Sequence, residues 1–263
     1  MTQAAKLAPS PGGRPALPNT IAVASGKGGV GKTWLSITLC HALARAGCKT
    51  LLFDGDLGLA NVDVQLGLTP RLDLGGVLAG RARLADATLP YRDGGFDVIA
   101  GQSGSGSLAN LPADRLGRLL LNLADLTPSY DWAVLDLGAG IERTVRQLAA
   151  RAQTSLIVTT DEPTSMTDAY AFIKLTVLNN LQSDLRLVVN MVDSQREGEA
   201  VYTTVRKACE SFLKVTPPLA GIIRRDSKVK DAIRHQSPLL VRHPNTTAAS
   251  DMEGLAETLI GGR

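Results

Sequence analysis

The stretch "IAVASGKGGVGKTWLSITL", residues 21–39, decides the fold. An apolar run leads into Gly26, Lys27, Gly28, Gly29, Val30, Gly31, Lys32 and Thr33, and a helical pattern follows. These eight residues satisfy G-x-x-x-x-G-K-[ST] between a strand and a helix, the context a phosphate-binding loop requires. The glycines let successive backbone N–H groups turn inward around phosphates, and the helix beginning near Gly31 adds its positive end. Lys32 then reaches the β and γ phosphates of ATP, and the Thr33 hydroxyl ligates Mg²⁺. One lysine is enough for that task. Lys27 is a second, which the general motif does not demand.

Working outward, short apolar runs alternate with longer amphipathic ones, the pattern of βαβ units. Strands are expected at 20–25, 50–54, 96–100, 132–136, 155–160, 185–190 and 219–223, and helices at 32–46, 112–124, 165–181 and 197–212. The expected fold class is α/β: a single-domain P-loop NTPase with a mostly parallel twisted sheet flanked by helices on both faces. Residues 1–19 carry four prolines and a Gly-Gly pair among small residues, a composition too poor in apolar surface to order itself. They are expected to form an arm, and 20–263 the ATPase domain.

The totals narrow the function classes. The 263 residues suit one α/β domain, and the net charge of +3 is spread along the chain rather than gathered into a nucleic-acid stripe. Three cysteines, Cys40, Cys48 and Cys209, lie far apart with no C-x-x-C pair, which supports neither a disulfide framework nor a thiolate metal site. The same scatter argues against an iron–sulfur carrier. No apolar run reaches membrane-spanning length. A cytoplasmic location is expected, with recruitment to the inner face of the cell membrane left open.

Carboxylates fall where such a site needs them. "TLLFD" ends in "DGDLGLANVD", setting Asp54 and Asp56 two apart at a strand's carboxyl end, where α/β proteins bind ligands. In an extended segment both point the same way, toward the phosphates. Asp136 closes the apolar strand "WAVLD", the position from which a P-loop protein binds Mg²⁺ through water. The following "GAG", 138–140, would bring backbone amides near the γ-phosphate.

"KGGVGKT", 27–33, resembles the deviant Walker A motif of the MinD/ParA family. The resemblance covers nearly all of residues 20–240. It implies a homodimer closed around two ATP molecules, with Lys27 crossing to the partner subunit's nucleotide. It also implies that Asp56 orients the attacking water, that Asp54 sits near the metal, and that Asn190, ending "LRLVVN", recognises the adenine. The family often has a proline in the loop backing the base, where this chain has Arg224 in "GIIRRDSKV".

Three segments, "DGDLGLANVDVQLGL", "LDLGAGIE" and "TTDEPTSMTDAYAFIK", resemble the flagellar-number branch of that family, FlhG or FleN. That branch implies partners such as an FlhF-like GTPase, a flagellar basal-body component or a flagellar transcription activator. The alternative is a ParA/MinD-type ATPase for chromosome or plasmid partition or septum placement. In the ParA reading DNA is the partner, contacted by Arg224, Arg225, Lys228, Lys230 and Arg234, although a solvated helix face accounts for these better. "SMTD" reads as a capping box, Ser165 with Asp168, starting a helix whose Tyr170, Ile173, Val177 and Leu181 form an apolar stripe. Glu162 and Asp168 are alternatively partner-facing, as the resemblance implies. "TQAAKLA", 2–8, keeps three positions of that branch's GTPase-stimulating D-Q-A-x-x-L-R motif but lacks its Asp and Arg. "SDMEGLAETLIGGR" lacks the cationic face of a membrane-binding helix.

Overall fold

A computed structural model describes residues 17–56, 60–72, 74–101, 111–180 and 183–262. The chain runs β1 (Leu17–Ser25), α1 (Lys32–Arg45), β2 (Thr50–Gly55), α2 (Val62–Leu66), α3 (Leu74–Leu78), β3 (Leu89–Tyr91), β4 (Phe96–Ile99) and α4 (Ala113–Leu126). It continues through β5 (Trp132–Ala139), α5 (Arg143–Ala149), β6 (Ala152–Thr159), α6 (Pro163–Asn179) and β7 (Asp184–Val192). Last come α7 (Gln195–Ala208), β8 (Leu219–Arg224), α8 (Ser227–Arg234), α9 (Leu239–Arg242) and α10 (Thr247–Gly261).

The described strands form one sheet in the order β3-β4-β2-β5-β1-β6-β7-β8, parallel throughout except for the β3–β4 pair. Side chains alternate between its faces. Ile21, Val23, Leu52, Val134, Val158 and Val188 pack on one side with α1 and α10. Ala22, Leu51, Phe53, Leu135, Ile157 and Leu187 pack on the other with α4, α5 and α6. Because both faces are covered, the central strands are buried almost end to end, which is why they read as unbroken apolar runs. α4 shows the complementary helical logic: Leu116, Leu119, Leu120 and Leu123 are buried while Leu121 faces out.

This topology puts β1 at the centre, so the turn after it opens at the carboxyl edge of the sheet between the turns after β5 and β6. The turns that end β2, β5, β7 and β8 share that edge.

The seven expected strands are present, and four details differ. β1 starts at Leu17, whose N–H donates to the Arg151 carbonyl, rather than at Thr20. β3, a three-residue antiparallel edge strand with Pro90 at its centre, was not expected. α7 ends at Ala208 in a π-helical turn over Cys209–Leu213. The capping box is not formed: α6 begins two residues earlier, at Pro163, with Glu162 as its N-cap. A proline at the first helical position loses no hydrogen bond there, and its fixed φ starts the helix. Ser165 is instead buried inside the first turn, where its Oγ accepts from Thr160 N at 3.0 Å and meets Thr159 Oγ1 at 3.1 Å. Ile173 and Val177 of the expected stripe are buried and Tyr170 is partly so; Leu181 lies outside the described residues, as does the 2–8 motif.

α10 is a core element. Ala248, Ala249, Met252, Leu255, Ala256 and Leu259 are buried against β8 and α1, so its apolar face is already covered by the protein. Among the described residues no helix is long and apolar enough to cross a membrane.

Candidate nucleotide site

The loop from Ser25 to Thr33 wraps the amino end of α1. Gly31 has φ +85°, a left-handed conformation, and a Cβ there would meet Asn190 Nδ2 at 2.7 Å and Met191 Cε at 2.8 Å. Glycine is therefore required twice over, by backbone and by space. Gly26 is a packing glycine: a Cβ would lie 2.2 Å from the Asp168 carbonyl oxygen, so the loop rests directly on α6.

Lys32 is 8% exposed, and its Nζ donates to Ser25 Oγ at 2.9 Å. Ser25 Oγ in turn donates to the Lys27 carbonyl at 2.6 Å, closing the loop on itself. Burial lowers the pKa of the Lys32 ammonium, opposed by the charges of Asp136 and Asp56. Asp136 lies within β5 and Asp56 just after the end of β2.

Asp136 is 1% exposed and accepts from Ser36 Oγ at 3.0 Å. Burial pushes its carboxyl up to about 6, while a hydrogen bond from Thr33, the Lys32 ammonium and the Ser36 bond pull the other way. Asp54 lies opposite Asp136 in the β2–β5 register and is fully buried. Burial, with the Asp136 charge added, raises it to about 8 against the N–H groups of Val62 and Asp56 that it accepts, each at 3.2 Å. Asp54 thus binds the backbone N–H of both Asp56 and Val62. Asp56 projects into the cleft, with Gly138 leaving space beside its carboxylate.

A cleft of about 500 Å³ begins at Gly28, Lys32 and Thr33 and runs past Asn190 and Met191 to the turn Arg224–Asp226 and to α8. The geometry brings Lys32, Thr33, Asp56 and Asn190 to this one cleft; Asp136 is reached through Thr33 and Lys32, and Asp54 is not among its lining residues. Asn190 donates from Nδ2 to the Val30 carbonyl at 2.8 Å and accepts the Met191 N–H at 3.0 Å, so its amide braces the phosphate loop.

Lys27 stands apart at the rim. Its Nζ pairs with Glu162 and donates to Thr164 Oγ1 at 2.9 Å, so the N-cap of α6 holds it within its own chain. The sequence alone could not pair Glu162 with Lys27, because nothing local links residues 135 apart.

A buried loop-end lysine, a hydroxyl and carboxylates at a strand edge, and a cleft leading away from them define a P-loop nucleotide-binding protein. Residues 21–239 match the CobQ/CobB/MinD/ParA nucleotide binding domain, and the chain belongs to that family. It is 38% identical to the antiactivator FleN of Pseudomonas aeruginosa, over 90% of this chain and 84% of that protein. It is 32% identical to the flagellum site-determining protein YlxH of Helicobacter pylori, over 91% and 81% respectively. The septum site-determining protein MinD of Pyrococcus horikoshii, solved as a complex with Mg-ADP, superposes with a TM-score of 0.77 at 26% identity, covering 92% of this chain and 95% of that one.

The titration of the carboxylate pair has a consequence for stability. A carboxyl raised in the folded state binds a proton that the unfolded chain has lost, so stability present at low pH is lost as pH rises through the folded value. For Asp54 that window runs from about 4 to about 8, and for Asp136 from about 4 to about 6. Nucleotide-free protein should lose about 1.4 kcal/mol per pH unit for each proton held. Chemical denaturation at pH 6, 7 and 8 measures the slope, and Asp54→Asn should flatten it. An unchanged slope in that variant would show that Asp54 is already ionised at neutral pH.

Proposed function

We propose that this protein is an ATP-dependent dimerising switch ATPase that controls the number or placement of bacterial flagella through partner proteins. The observation that carries the switch is the division between its two lysines. Lys32 is buried at the end of the phosphate loop, whereas Lys27 lies at the rim on a part-exposed pair with Glu162. The flagellar setting is supported by the similarity to FleN and YlxH across most of their lengths.

In this reading the loop amides and Lys32 hold the β and γ phosphates, Asp56 positions the water that attacks the γ-phosphate, and Lys27 crosses to the partner subunit's ATP. Mg²⁺ fits the residues present: the Thr33 hydroxyl and the Asp136 carboxylate are hard oxygen donors, and burial raises the Asp136 carboxyl to about 6, so a nearby dication would favour its ionised form. When bound, Mg²⁺ supplies charge neutralisation at the phosphates. The partners in this reading are an FlhF-like GTPase, a basal-body component or a flagellar transcription activator, met in the cytoplasm or at its membrane face.

The test is sedimentation velocity with ATP and with ADP. Dimer should form with ATP alone, and an ATP-independent monomer would sink the switch. Asp56→Ala should keep ATP affinity and the dimer while slowing hydrolysis at least about a hundredfold, the usual scale for losing a positioned proton acceptor. Phosphate release measures it; unchanged turnover would make Asp56 a residue of the turn only.

A further inference from the structure

One residue of the cleft wall, Arg224, is held by a buried carboxylate on an element that does not line the cleft. Asp251, in the second turn of α10, has a side chain only 6% exposed. It accepts three hydrogen bonds from Arg224: the backbone N at 2.9 Å and Nε at 3.0 Å on Oδ2, and Nη2 at 2.7 Å on Oδ1. This is a bidentate, charge-assisted grip with the main chain included, the strongest kind available to a surface turn.

Its neighbour is pinned in the other direction. Arg225 donates its N–H to the Val192 carbonyl at 2.7 Å and its Nη2 to the Met191 carbonyl at 2.8 Å. Asp226 then caps α8 by accepting the Lys228 N–H at 2.9 Å. All three residues of the turn line the cleft, and Arg225 also borders a smaller cavity with Lys27, Gly28, Gly29 and Val30 of the phosphate loop. With phosphates seated on Lys32, the base and ribose would extend along the cleft toward this wall.

We propose that Asp251 is a positioning residue for the nucleotide: by clamping Arg224 it fixes the wall against which the base and ribose rest. The inference builds on the nucleotide reading above. Because the wall is set before binding, the ligand does not have to order it, and affinity is gained without any contact from Asp251 itself.

The experiment compares two ligands by calorimetry, MgATP and magnesium tripolyphosphate, which offers the phosphate loop a chain of phosphates and has no base. Asp251→Asn and Arg224→Gln should each weaken MgATP by about tenfold while leaving tripolyphosphate within about twofold. Since both act through one contact, the double variant should be no weaker than either single one. Equal losses for both ligands, or additive losses in the double variant, would show that the pair serves only the fold, and unchanged MgATP affinity would also overturn the proposal. A parent protein that binds neither ligand overturns the nucleotide reading and this inference together, whereas binding of both with unaffected variants overturns this inference alone.

Discussion

Lys32→Ala is expected to lose two to four orders of magnitude in ATP affinity. One of the three ammonium donors is engaged with Ser25, which leaves two for the β and γ phosphates. Charge-assisted hydrogen bonds contribute about 1.5–3 kcal/mol each, and every 1.4 kcal/mol is tenfold in the binding constant. The fold should tolerate the change, because the same burial that makes Lys32 effective toward phosphate disfavours its charge in the empty protein. Calorimetry with MgATP, after a thermal melt to confirm folding, measures the effect. Retained affinity in a folded variant would remove Lys32 from the phosphate site.

The second large effect belongs to Lys27→Ala and falls on assembly rather than on binding. In the proposed reading Lys32 serves the phosphates in cis, so ADP affinity of the monomer should stay nearly intact. Two symmetric contacts are lost per dimer, one for each lysine, and at the same 1.5–3 kcal/mol per contact the dimer constant should fall by two to four orders of magnitude. The measurement is sedimentation with ATP in an Asp56→Ala background, so that nucleotide survives the run. The Glu162 pair adds a control. Because Lys27 must leave Glu162 to cross, Glu162→Gln should not mimic Lys27→Ala; if both variants dimerise like their parent, Lys27 is a surface lysine bonded to its own helix.

The parts legible in the sequence were those that local chemistry dictates. Two glycines, a lysine and a threonine at the motif's fixed spacing require one backbone shape, and strands buried on both faces leave short unbroken apolar runs between turn residues. The β3 strand escaped because three residues with a central proline, paired only at an edge, carry no alternation to read. The capping box misled because a serine three residues before an aspartate has the same sequence signature whether its hydroxyl meets its own helix or, as here, the end of the preceding strand. Asp54 and Asp56 share a face in an ideal strand, but the strand ends at Gly55, so one stays buried beside Asp136 while the other turns into the cleft. The Lys27–Glu162 and Arg224–Asp251 pairs join residues 135 and 27 positions apart, and only the folded chain brings them together.

The bare contact at Gly26 has a mechanical side. Most neighbouring elements in a protein touch through side chains, which can switch rotamer and absorb a small shift. Where Gly26 meets the carbonyl of Asp168 there is no such cushion: main chain presses on main chain. From Asp168 the helix α6 continues to Asn179, eleven residues on, a rigid arm of about 16 Å. A tilt of about 5° at the loop would move the far end of that arm by about 1.4 Å, on the scale of helix shifts that switching proteins use. Leu178, 71% exposed, rides at that end, so a tilt of the phosphate loop would be felt there, far along the helix from Gly26.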